Sequence, residues 1–451
     1  MQIDLNGRSV LLGVTGSISA YKACDLARLF VKAGADVHVV MSPSAGRFVS
    51  PLTFEALTRN PVLTEESESW SSERNHIDMG KKADVFIIAP ATANTLNKLS
   101  KGIADNILLQ TALAFKGTLL VAPAANTQML KNHYTEGSIK MLRVNDILVI
   151  DPQSKQLACG DTGEGALADP EEIFFETAKA MLIDPFWKDR RVVVTGGGTR
   201  EKIDEVRYIS NYSSGKMAKS VALSLYLRGA DVCYITTKKS DDLPRDIYTI
   251  DVESAEEMLD YTVDAIRVAK KGVMSKASMN SADPRMLIQK TPFLFMVAAV
   301  SDYKPTFPQN GKLKKSMLGE KWMLELTQTP DILNSLNKDG IRTVAFKAEM
   351  DEVHGLENAK ALLDTKEVDA VCYNLLKGSE SFGTETNEIE FITPDHITPL
   401  GNADKLTVAS RILDEAQKLA DDEKCTQKPR HHYGRQRQVG QTTGVQPYQG
   451  A

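Results

Sequence analysis

Three residues in the first half of the chain have side chains that could take part in chemistry. His76 stands between Asn75 and Ile77, Asn126 follows the apolar run 117–122, and Cys159 lies in a glycine-rich loop. An imidazole can act as a base near neutral pH, and an exposed thiol on a loop suits acid or redox chemistry. Each residue also has a simpler explanation: a lone histidine is usually structural, an asparagine after a strand often shapes a turn, and a cysteine can lie on a loop by chance.

Two segments of the same half suit a nucleotide with a planar ring. Gly16–Ser19 lies between a predicted strand and a predicted helix, where backbone N–H groups favour a phosphate. Hydroxyls occupy positions where a dinucleotide site needs glycine, so the pattern favours a mononucleotide. Pro90–Thr95 follows another apolar strand, and its small residues let a ring approach the backbone. A tight turn explains the first segment equally well, and a helix cap explains the second.

The second half of the chain carries three features that suit a nucleoside triphosphate. Gly196–Glu201 offers bare backbone after a strand, and residues 203–217 are dense in hydrogen-bonding groups before a helix. Asp302 ends a buried strand, and the cluster Lys312–Lys315 can neutralise a triphosphate and its pyrophosphate leaving group. A solvated loop and a solvated lysine cluster remain the alternatives.

The elements that must position these residues repeat along the chain. A strand, a glycine turn, a helix, a closing glycine and a second strand follow one another over residues 8–41 and again over residues 191–236. Further apolar runs predict strands buried on both faces of a parallel sheet, at 84–89, 117–122, 146–150, 293–299, 343–346 and 369–373. We therefore predict an α/β protein with two Rossmann-like domains, 1–184 and 185–420, and a disordered tail at 421–451.

Composition narrows the class of protein. The 451 residues carry 54 basic and 59 acidic side chains, a formal net charge of −5, which argues against a protein that coats nucleic acid or an anionic membrane. The longest apolar run, Phe293–Val300, is too short to span a bilayer, and Met1–Asp4 does not resemble a secretory signal. The five cysteines form no paired framework. We expect a reduced, soluble, cytoplasmic protein.

The first-half motifs resemble one enzyme family. G-S-I-S-A-Y-K, H-I-x-x-G-K-x-A-D, P-A-T-A-N, P-A-x-N-x-x-M and A-C-G-D-x-G-x-G occur here in the order found in FMN-dependent phosphopantothenoylcysteine decarboxylases. The resemblance implies a flavodoxin-like domain in which His76 is the base near the substrate thiol and Asn126 holds the substrate carboxylate. It also implies that Cys159 protonates the enethiol intermediate while reduced FMN returns a hydride. The family's flavin-contacting positions match Gly16, Ser17, Ile18, Ser42, Thr92 and Ala93.

Two positions depart from that family's pattern. Ala125 stands where a methionine usually precedes the asparagine, and Ala166 stands where an arginine usually follows the glycines of the cysteine loop. The missing arginine puts in question how tightly the loop clamps an anionic substrate.

The second-half motifs resemble the phosphopantothenate–cysteine ligases. The long segment 196–217 is followed by A-A-V-x-D-Y, K-L-K-K and T-P-D-I in the family order. The resemblance implies that the substrate carboxylate attacks CTP, giving an acyl-cytidylate and pyrophosphate, and that the amine of cysteine then displaces CMP. Asn211 would hold the acyl-cytidylate and Lys312 would assist the cysteine-dependent step. The family's nucleotide-contact positions match Ala298, Asp302, Lys312, Lys315, Pro330, Asp331, Ile332, Leu333, Phe346 and Lys366.

Both resemblances together imply a bifunctional decarboxylase and ligase of coenzyme A synthesis. Magnesium is expected on the triphosphate, with no ligand set evident, and Leu362 aligns with a second family lysine. The family also implies a homo-oligomer with trimeric decarboxylase contacts and dimeric ligase contacts. From residues alone, the alternatives are a two-domain NAD(P)-dependent oxidoreductase, which the absent G-x-G-x-x-G opposes, and a flavin-binding regulatory subunit, which Ala125 and Ala166 mildly favour.

Overall fold

The computed structural model of the chain describes residues 3–72, 74–156, 162–275, 286–314, 318–376 and 383–420. The predicted tail and the candidate residues Cys159 and Lys315 lie outside these ranges. The strands are β1 (Ser9–Val14), β2 (Asp36–Met41), β3 (Val85–Ala91), β4 (Thr118–Pro123), β5 (Leu148–Val149), β6 (Gln153–Gln156), β7 (Thr162–Ala166), β8 (Arg191–Gly196), β9 (Arg200–Lys202), β10 (Tyr208–Ser210), β11 (Asp231–Thr236), β12 (Tyr248–Asp251), β13 (Val273–Met274), β14 (Leu287–Ile288), β15 (Phe293–Met296), β16 (Tyr303–Pro305), β17 (Leu326–Gln328), β18 (Arg342–Glu349), β19 (Ala370–Leu375), β20 (Thr386–Ile392) and β21 (Ile397–Asp404). The helices are α1 (Lys22–Lys32), α2 (Pro51–Thr58), α3 (His76–Lys82), α4 (Ala93–Leu99), α5 (Ile107–Ala114), α6 (Thr127–Leu130), α7 (His133–Val144), α8 (Pro170–Leu182), α9 (Lys216–Leu227), α10 (Ala255–Ala269), α11 (Ile332–Ser335), α12 (Gly355–Thr365) and α13 (Lys405–Ala416).

The first domain is built on a parallel sheet with the strand order β2-β1-β3-β4-β5. This is the flavodoxin-like order, in which the direction of progress across the sheet reverses between β1 and β3. Val10 pairs with Val37 on one side and with Val85 on the other, which places β1 inside the sheet. Every residue of β3 is buried, as its apolar run predicts for a parallel strand covered on both faces.

The second domain is built on a larger sheet with the order β12-β11-β8-β15-β18-β19-β20-β21. Strands from β12 to β19 run parallel, in the doubly wound order that reverses between β8 and β15, and β20 and β21 continue the sheet antiparallel. The prediction of two Rossmann-like domains is therefore confirmed.

Strand β15 ends three residues before the predicted limit at residue 299. The backbone after Met296 leaves the sheet and bonds the glycine turn that follows β8: the N–H of Ala299 donates to the carbonyl of Gly197 at 2.8 Å. In return, the N–H of Thr199 donates to the carbonyl of Ala299 at 3.2 Å. The apolar run continues past Met296, so the sequence does not show that the backbone there bonds a turn instead of a neighbouring strand.

Matching glycines end the first helix of each domain. Gly34 after α1 and Gly229 after α9 both have left-handed backbone, with φ of 88° and 86°. A Cβ at Gly34 would lie 2.4 Å from Oδ1 of Asn6, so the site requires glycine for space as well as conformation. Both glycines occupy the helix-ending positions predicted from the sequence.

The two domains share one hydrophobic core through helix α8. This helix packs on α1 of the first domain and on α9 of the second, and the buried cluster continues from Phe30 and Phe174 to Trp187 and Tyr226. The hydroxyl of Tyr226 donates to the carboxylate of Glu176, so a partly buried hydrogen bond also joins the domains. Burial, together with Glu176, raises the pKa of Tyr226 far above its ordinary value. Within the described ranges, no helix is both long and apolar enough to cross a membrane.

Candidate functional site

The first domain has a cavity of about 1000 Å³ at the carboxyl ends of β1, β3 and β4. It lies where the strand order reverses, the position at which open α/β sheets bind ligands. All positions assigned to the flavin line it, namely Gly16, Ser17, Ile18, Ser42, Thr92 and Ala93. Asn126 and both departures from the family pattern, Ala125 and Ala166, line the same cavity. Its volume is at the upper end of the range for small-molecule sites.

Hydrogen bonds and one close approach hold the loops of this cavity together. The hydroxyl of Thr15 donates to the carbonyl of Pro90 at 2.6 Å and accepts from the N–H of Thr92 at 3.2 Å. Thus the loops after β1 and β3 are tied to each other. A Cβ on Gly16 would lie 2.4 Å from Cβ of Ser44, so glycine lets the loop after β2 close against the first loop.

Asn126 begins the short helix α6 at the edge of the cavity. Its Oδ1 accepts from the N–H of Gln128 at 2.9 Å, which fixes the side chain beside the end of β4. Asn126 therefore does two things: it caps helix α6, as the structural explanation proposed, and it lines the cavity.

The hairpin of β6 and β7 packs closely against the segment that carries Asn126. The N–H of Ala125 donates to the carbonyl of Gly165 at 3.2 Å. A Cβ on Gly165 would lie 2.3 Å from the carbonyl oxygen of Ala125, and one on Gly163 would lie 2.4 Å from Oγ1 of Thr127. Cys159 falls between β6 and β7 in sequence, outside the described residues, so the glycines bring the base of its loop to Asn126.

His76 is the first residue of helix α3, and the carbonyl oxygen of the Asn75 side chain caps that helix through bonds of 3.0 Å to the N–H groups of Ile77 and Asp78. The Nδ1 atom of His76 lies 2.8 Å from Oε1 of Glu68, and the ring of Trp70 meets the imidazole edge-on, with centroids 5.6 Å apart. His76 is not among the residues that line the cavity. The structure therefore brings Asn126 to the predicted flavin positions but does not bring His76 to them within one chain. Glu68 was not predicted as a site residue, because no local pattern in the sequence marks it.

In the second domain, a cleft of about 150 Å³ lies at the carboxyl ends of β15, β18 and β19, against the start of α9. Phe346 lines this cleft, together with residues 212–218 of the motif-rich segment. The other described positions assigned to the nucleotide lie outside its lining. Its small volume contrasts with the cavity of the first domain.

Lys216 and Lys405 also line the cleft, and neither was predicted as a site residue. The ammonium of Lys216 donates to the carbonyl of Gly383 at 2.8 Å and pairs with Glu385 at 2.5 Å. Lys405 is buried and donates to the carbonyl of Thr384. Burial lowers the pKa of Lys405, and the neighbouring charge of Lys216 adds to this shift. Lys216 lies within the motif S-S-G-K-M, which was a signal for it, whereas nothing in the local sequence marks Lys405.

Asn211 lies beside the segment between β15 and β16 that carries Asp302, which does not end a strand as predicted because β15 stops at Met296. The Nδ2 of Asn211 donates to the carbonyl of Val300 at 2.9 Å. The Lys312 loop is fastened to the same motif segment by Asp204, whose carboxylate accepts from the N–H of Leu313 at 3.1 Å. Arg207 binds that carboxylate at 2.5 and 3.0 Å and also the carbonyl of Leu313 at 2.9 Å. The hydrogen bond from Arg207 holds the pKa of Asp204 well below its usual range.

Asp331 and Lys366, both assigned to the nucleotide, form an ion pair with each other. Partial burial acts in the opposite direction, but the hydrogen bond from Lys366 keeps the pKa of Asp331 below its ordinary value. Asp331 also caps helix α11, accepting from the N–H of Asn334 at 3.1 Å. Among the residues described, no three histidine, cysteine or acidic side chains form a cluster that could hold a metal ion.

Comparison with known proteins relates each half to a family. Residues 2–182 match the model of the Flavoprotein family, and residues 187–283 and 266–419 match that of the DNA/pantothenate metabolism flavoprotein C-terminal domain. The coenzyme A biosynthesis bifunctional protein CoaBC of Bacillus subtilis is 37% identical, over 92% of this chain and 98% of its own. That of Haemophilus influenzae is 34% identical over the same shares. A solved structure of a PPC decarboxylase mutant with pantothenoylaminoethenethiol is 37% identical, covers 37% of this chain and 94% of its own, and has a TM-score of 0.35.

Proposed function

Because the chain belongs to the family of bifunctional coenzyme A biosynthesis proteins, we propose that it carries out two successive reactions on phosphopantothenate. It is a bifunctional enzyme with a flavoprotein decarboxylase domain and a ligase domain. The ligase domain would join cysteine to phosphopantothenate, and the decarboxylase domain would then remove the carboxyl group of the added cysteine. The observation that carries the proposal is the extent of the match, because relatives are aligned over 92% of this chain and 98% of their own.

The flavin of the first domain is proposed to be FMN. The residues fit a flavin nucleotide: Gly16, Ser17 and Ile18 line the cavity at the carboxyl end of β1, and the close approach of Gly16 to Ser44 forms part of its wall. When bound, FMN would supply hydride uptake and return, which the substrate needs because its thiol carbon must become an electron sink before carbon dioxide can leave.

The residues of the chain itself would then move protons and hold the substrate. His76 would take the proton of the substrate thiol, and Asn126 would hold the carboxylate that is lost as carbon dioxide. Cys159 would donate a proton to the enethiol intermediate, at the carbon that lost carbon dioxide. The packing of Gly165 on Ala125 supports this pairing of Asn126 with the cysteine loop. Ala125 and Ala166 leave the cavity without the methionine and arginine that the family usually has there, so we expect weaker substrate binding rather than loss of activity.

The second domain is proposed to activate the carboxylate with CTP. Asn211 would hold the acyl-cytidylate, and Lys312 would assist the cysteine-dependent step, together with the remaining nucleotide positions from Ala298 to Lys366. The Asp204–Arg207 pair supports the role of Lys312, because it fastens the adjacent Leu313 to the Asn211 segment. Mg²⁺ would accompany the triphosphate, and no protein ligand is assigned to it.

We further propose a homo-oligomer in which His76 serves the cavity of a neighbouring subunit. The support is that His76 lies outside the cavity lined by Asn126 of its own chain. We propose that the protein binds small-molecule substrates and that it binds neither nucleic acid nor a membrane.

The full chain, loaded with flavin, tests the proposal. It is incubated with phosphopantothenate, cysteine, CTP and magnesium, and pyrophosphate and carbon dioxide are measured separately, with and without CTP. Both products are expected with CTP and neither without it, whereas phosphopantothenoylcysteine supplied directly should release carbon dioxide in both cases. Failure of that last reaction would exclude the decarboxylase, and pyrophosphate release that does not depend on phosphopantothenate would exclude the ligase.

A further inference from the structure

Glu68 makes two contacts with His76, and no family motif named above includes it. Its Oε1 lies 2.8 Å from Nδ1 of the imidazole and 3.4 Å from the backbone nitrogen of the same residue. The side chains of Glu68 and His76 are 26% and 23% exposed, so water competes only partly for this contact. One carboxylate therefore holds both the ring and the first peptide N–H of helix α3.

The segment that carries Glu68 is held by bonds on both sides. Before it, the N–H of Thr64 donates to Oγ of Ser67 at 2.8 Å, and the N–H of Ser67 donates to Oγ1 of Thr64 at 3.2 Å. After it, the backbones of Ser69 and Arg74 exchange two hydrogen bonds, of 2.8 and 3.0 Å. These bonds fix the backbone of Glu68, so its reach to His76 does not depend on a loosely held loop.

The other side of the imidazole is also restricted. Trp70 lies within the turn closed by Ser69 and Arg74, and its ring meets that of His76 at 90°. Helix α3 begins at His76 under the cap of Asn75, which fixes the backbone. Glu68 thus contacts Nδ1 and the Trp70 ring stands perpendicular to the imidazole, while Nε2 makes no hydrogen bond to any of the residues that the structure describes.

We propose that Glu68 is a positioning residue that sets the tautomer and orientation of His76 for proton transfer. A neutral imidazole carries one N–H, and a carboxylate at Nδ1 favours placing it there. The lone pair then resides on Nε2, which can accept the proton of the substrate thiol and leave a thiolate. The imidazolium so formed remains paired with Glu68, an arrangement that stabilises the charge. This inference rests on the proposed role of His76 as the base.

The variants Glu68→Leu and Glu68→Gln test the inference, with Glu66→Gln at an exposed neighbouring position as the matched control. Loss of a residue that orients a metal-ligating histidine commonly costs about 10- to 100-fold in activity, and we use the same scale for a residue that orients a base. We expect a fall of that size in kcat for carbon dioxide release in Glu68→Leu, with KM little changed. Glu68→Gln should fall less, because its amide oxygen still accepts from Nδ1–H, and Glu66→Gln should match the wild type. CTP-dependent pyrophosphate release by the same chain checks that each variant is folded.

The ¹⁵N spectrum of His76 supplies a readout that a merely structural role would not change. The wild type is expected to show the Nδ1–H tautomer at pH values where the ring is neutral, and Glu68→Leu should show a mixture or the Nε2–H form. A wild-type ring in the Nε2–H form would overturn the inference without any variant.

The variant His76→Asn tests the role of His76 as the base separately from the role of Glu68 as the positioning residue. If it keeps full carbon dioxide release, the proposed base is wrong; if it loses release while Glu68→Leu keeps both kcat and tautomer, only the positioning role is wrong.

Discussion

The two candidate sites differ in how completely one chain assembles them. In the first domain, every predicted flavin position lines a single cavity of about 1000 Å³, and Thr15 ties two of its loops together. In the second domain, Phe346 lines a cleft of about 150 Å³, while Asp331 and Lys366 are bound to each other. A prosthetic group that stays bound suits a preformed cavity, whereas a triphosphate that enters and leaves in each turnover suits a cleft that changes shape. The flavin positions therefore already share one cavity, whereas most of the described positions proposed for the nucleotide lie outside the lining of the cleft.

The largest expected effect concerns His76, the proposed base, which does not line the cavity of the first domain. Replacing His76 with asparagine should lower carbon dioxide release about 100- to 10,000-fold, the usual contribution of a general base, and leave pyrophosphate release unchanged. Mixing unfolded His76→Asn and Asn126→Ala chains and refolding them together should restore part of the activity if the two residues come from different subunits. Activity of the mixture no greater than that of each variant alone would show that one chain supplies both.

The next effect concerns the glycines beneath the cysteine loop. Gly165→Ala places a methyl group 2.3 Å from the carbonyl of Ala125, so the hairpin must move away from Asn126. A displacement of about 1 Å near reacting groups can cost about 100-fold, and we expect carbon dioxide release to fall on that scale. Gly137→Ala, where nothing lies within 4 Å, is the control. Equal rates for both variants would mean that the hairpin need not touch Asn126 for catalysis.

In the second domain, Asp204→Asn should weaken the hold on the Lys312 loop and lower ligation about 10-fold, with flavin content and decarboxylation intact. The pKa of Asp204 is lower in the folded chain than its ordinary value of about 4. Its carboxylate therefore stabilises the folded chain fully above that ordinary pKa, and the stabilisation is lost as the pH falls through the lowered pKa. The difference in unfolding free energy between wild type and variant should therefore be constant from pH 5 to 7 and shrink in stronger acid. Urea titrations at several pH values measure it, and a difference that grows in acid would contradict this assignment.

The smallest effect on stability is expected at the ion pair of Asp331 and Lys366. The two side chains are 44% and 24% exposed, so Lys366→Met should cost at most about 1 kcal/mol of unfolding free energy. The same variant should raise the KM for CTP several-fold, because a phosphate would lose its cation. Asp331→Asn, which releases the lysine but keeps the cap shape, provides the comparison. An unchanged KM for CTP in Lys366→Met would remove that residue from the nucleotide site.

Local patterns predicted the fold because it depends on short segments, whereas the six proposed flavin positions came from the resemblance to a family and line one cavity. Gly34 and Gly229 end their helices where the glycine pattern placed them, and the flavin loops follow strands that apolar runs mark. Contacts between distant segments left no such pattern. Glu68 reaches His76 across a turn, Lys366 reaches Asp331 across 35 residues, and Lys405 lies at the start of a helix far along the chain from Phe346. The limit of β15 shifted for the same reason, since its last residues bond a turn about 100 positions away.

The continuous core that runs through helix α8 has a consequence for how this protein comes apart. Phe174 and Tyr226 belong to different domains but to one buried cluster, so pulling the domains apart would wet apolar surface on both. Heating should then melt the two catalytic bodies in a single cooperative step instead of one after the other. If each domain were expressed alone, it would expose apolar surface that the other domain buries in the full chain.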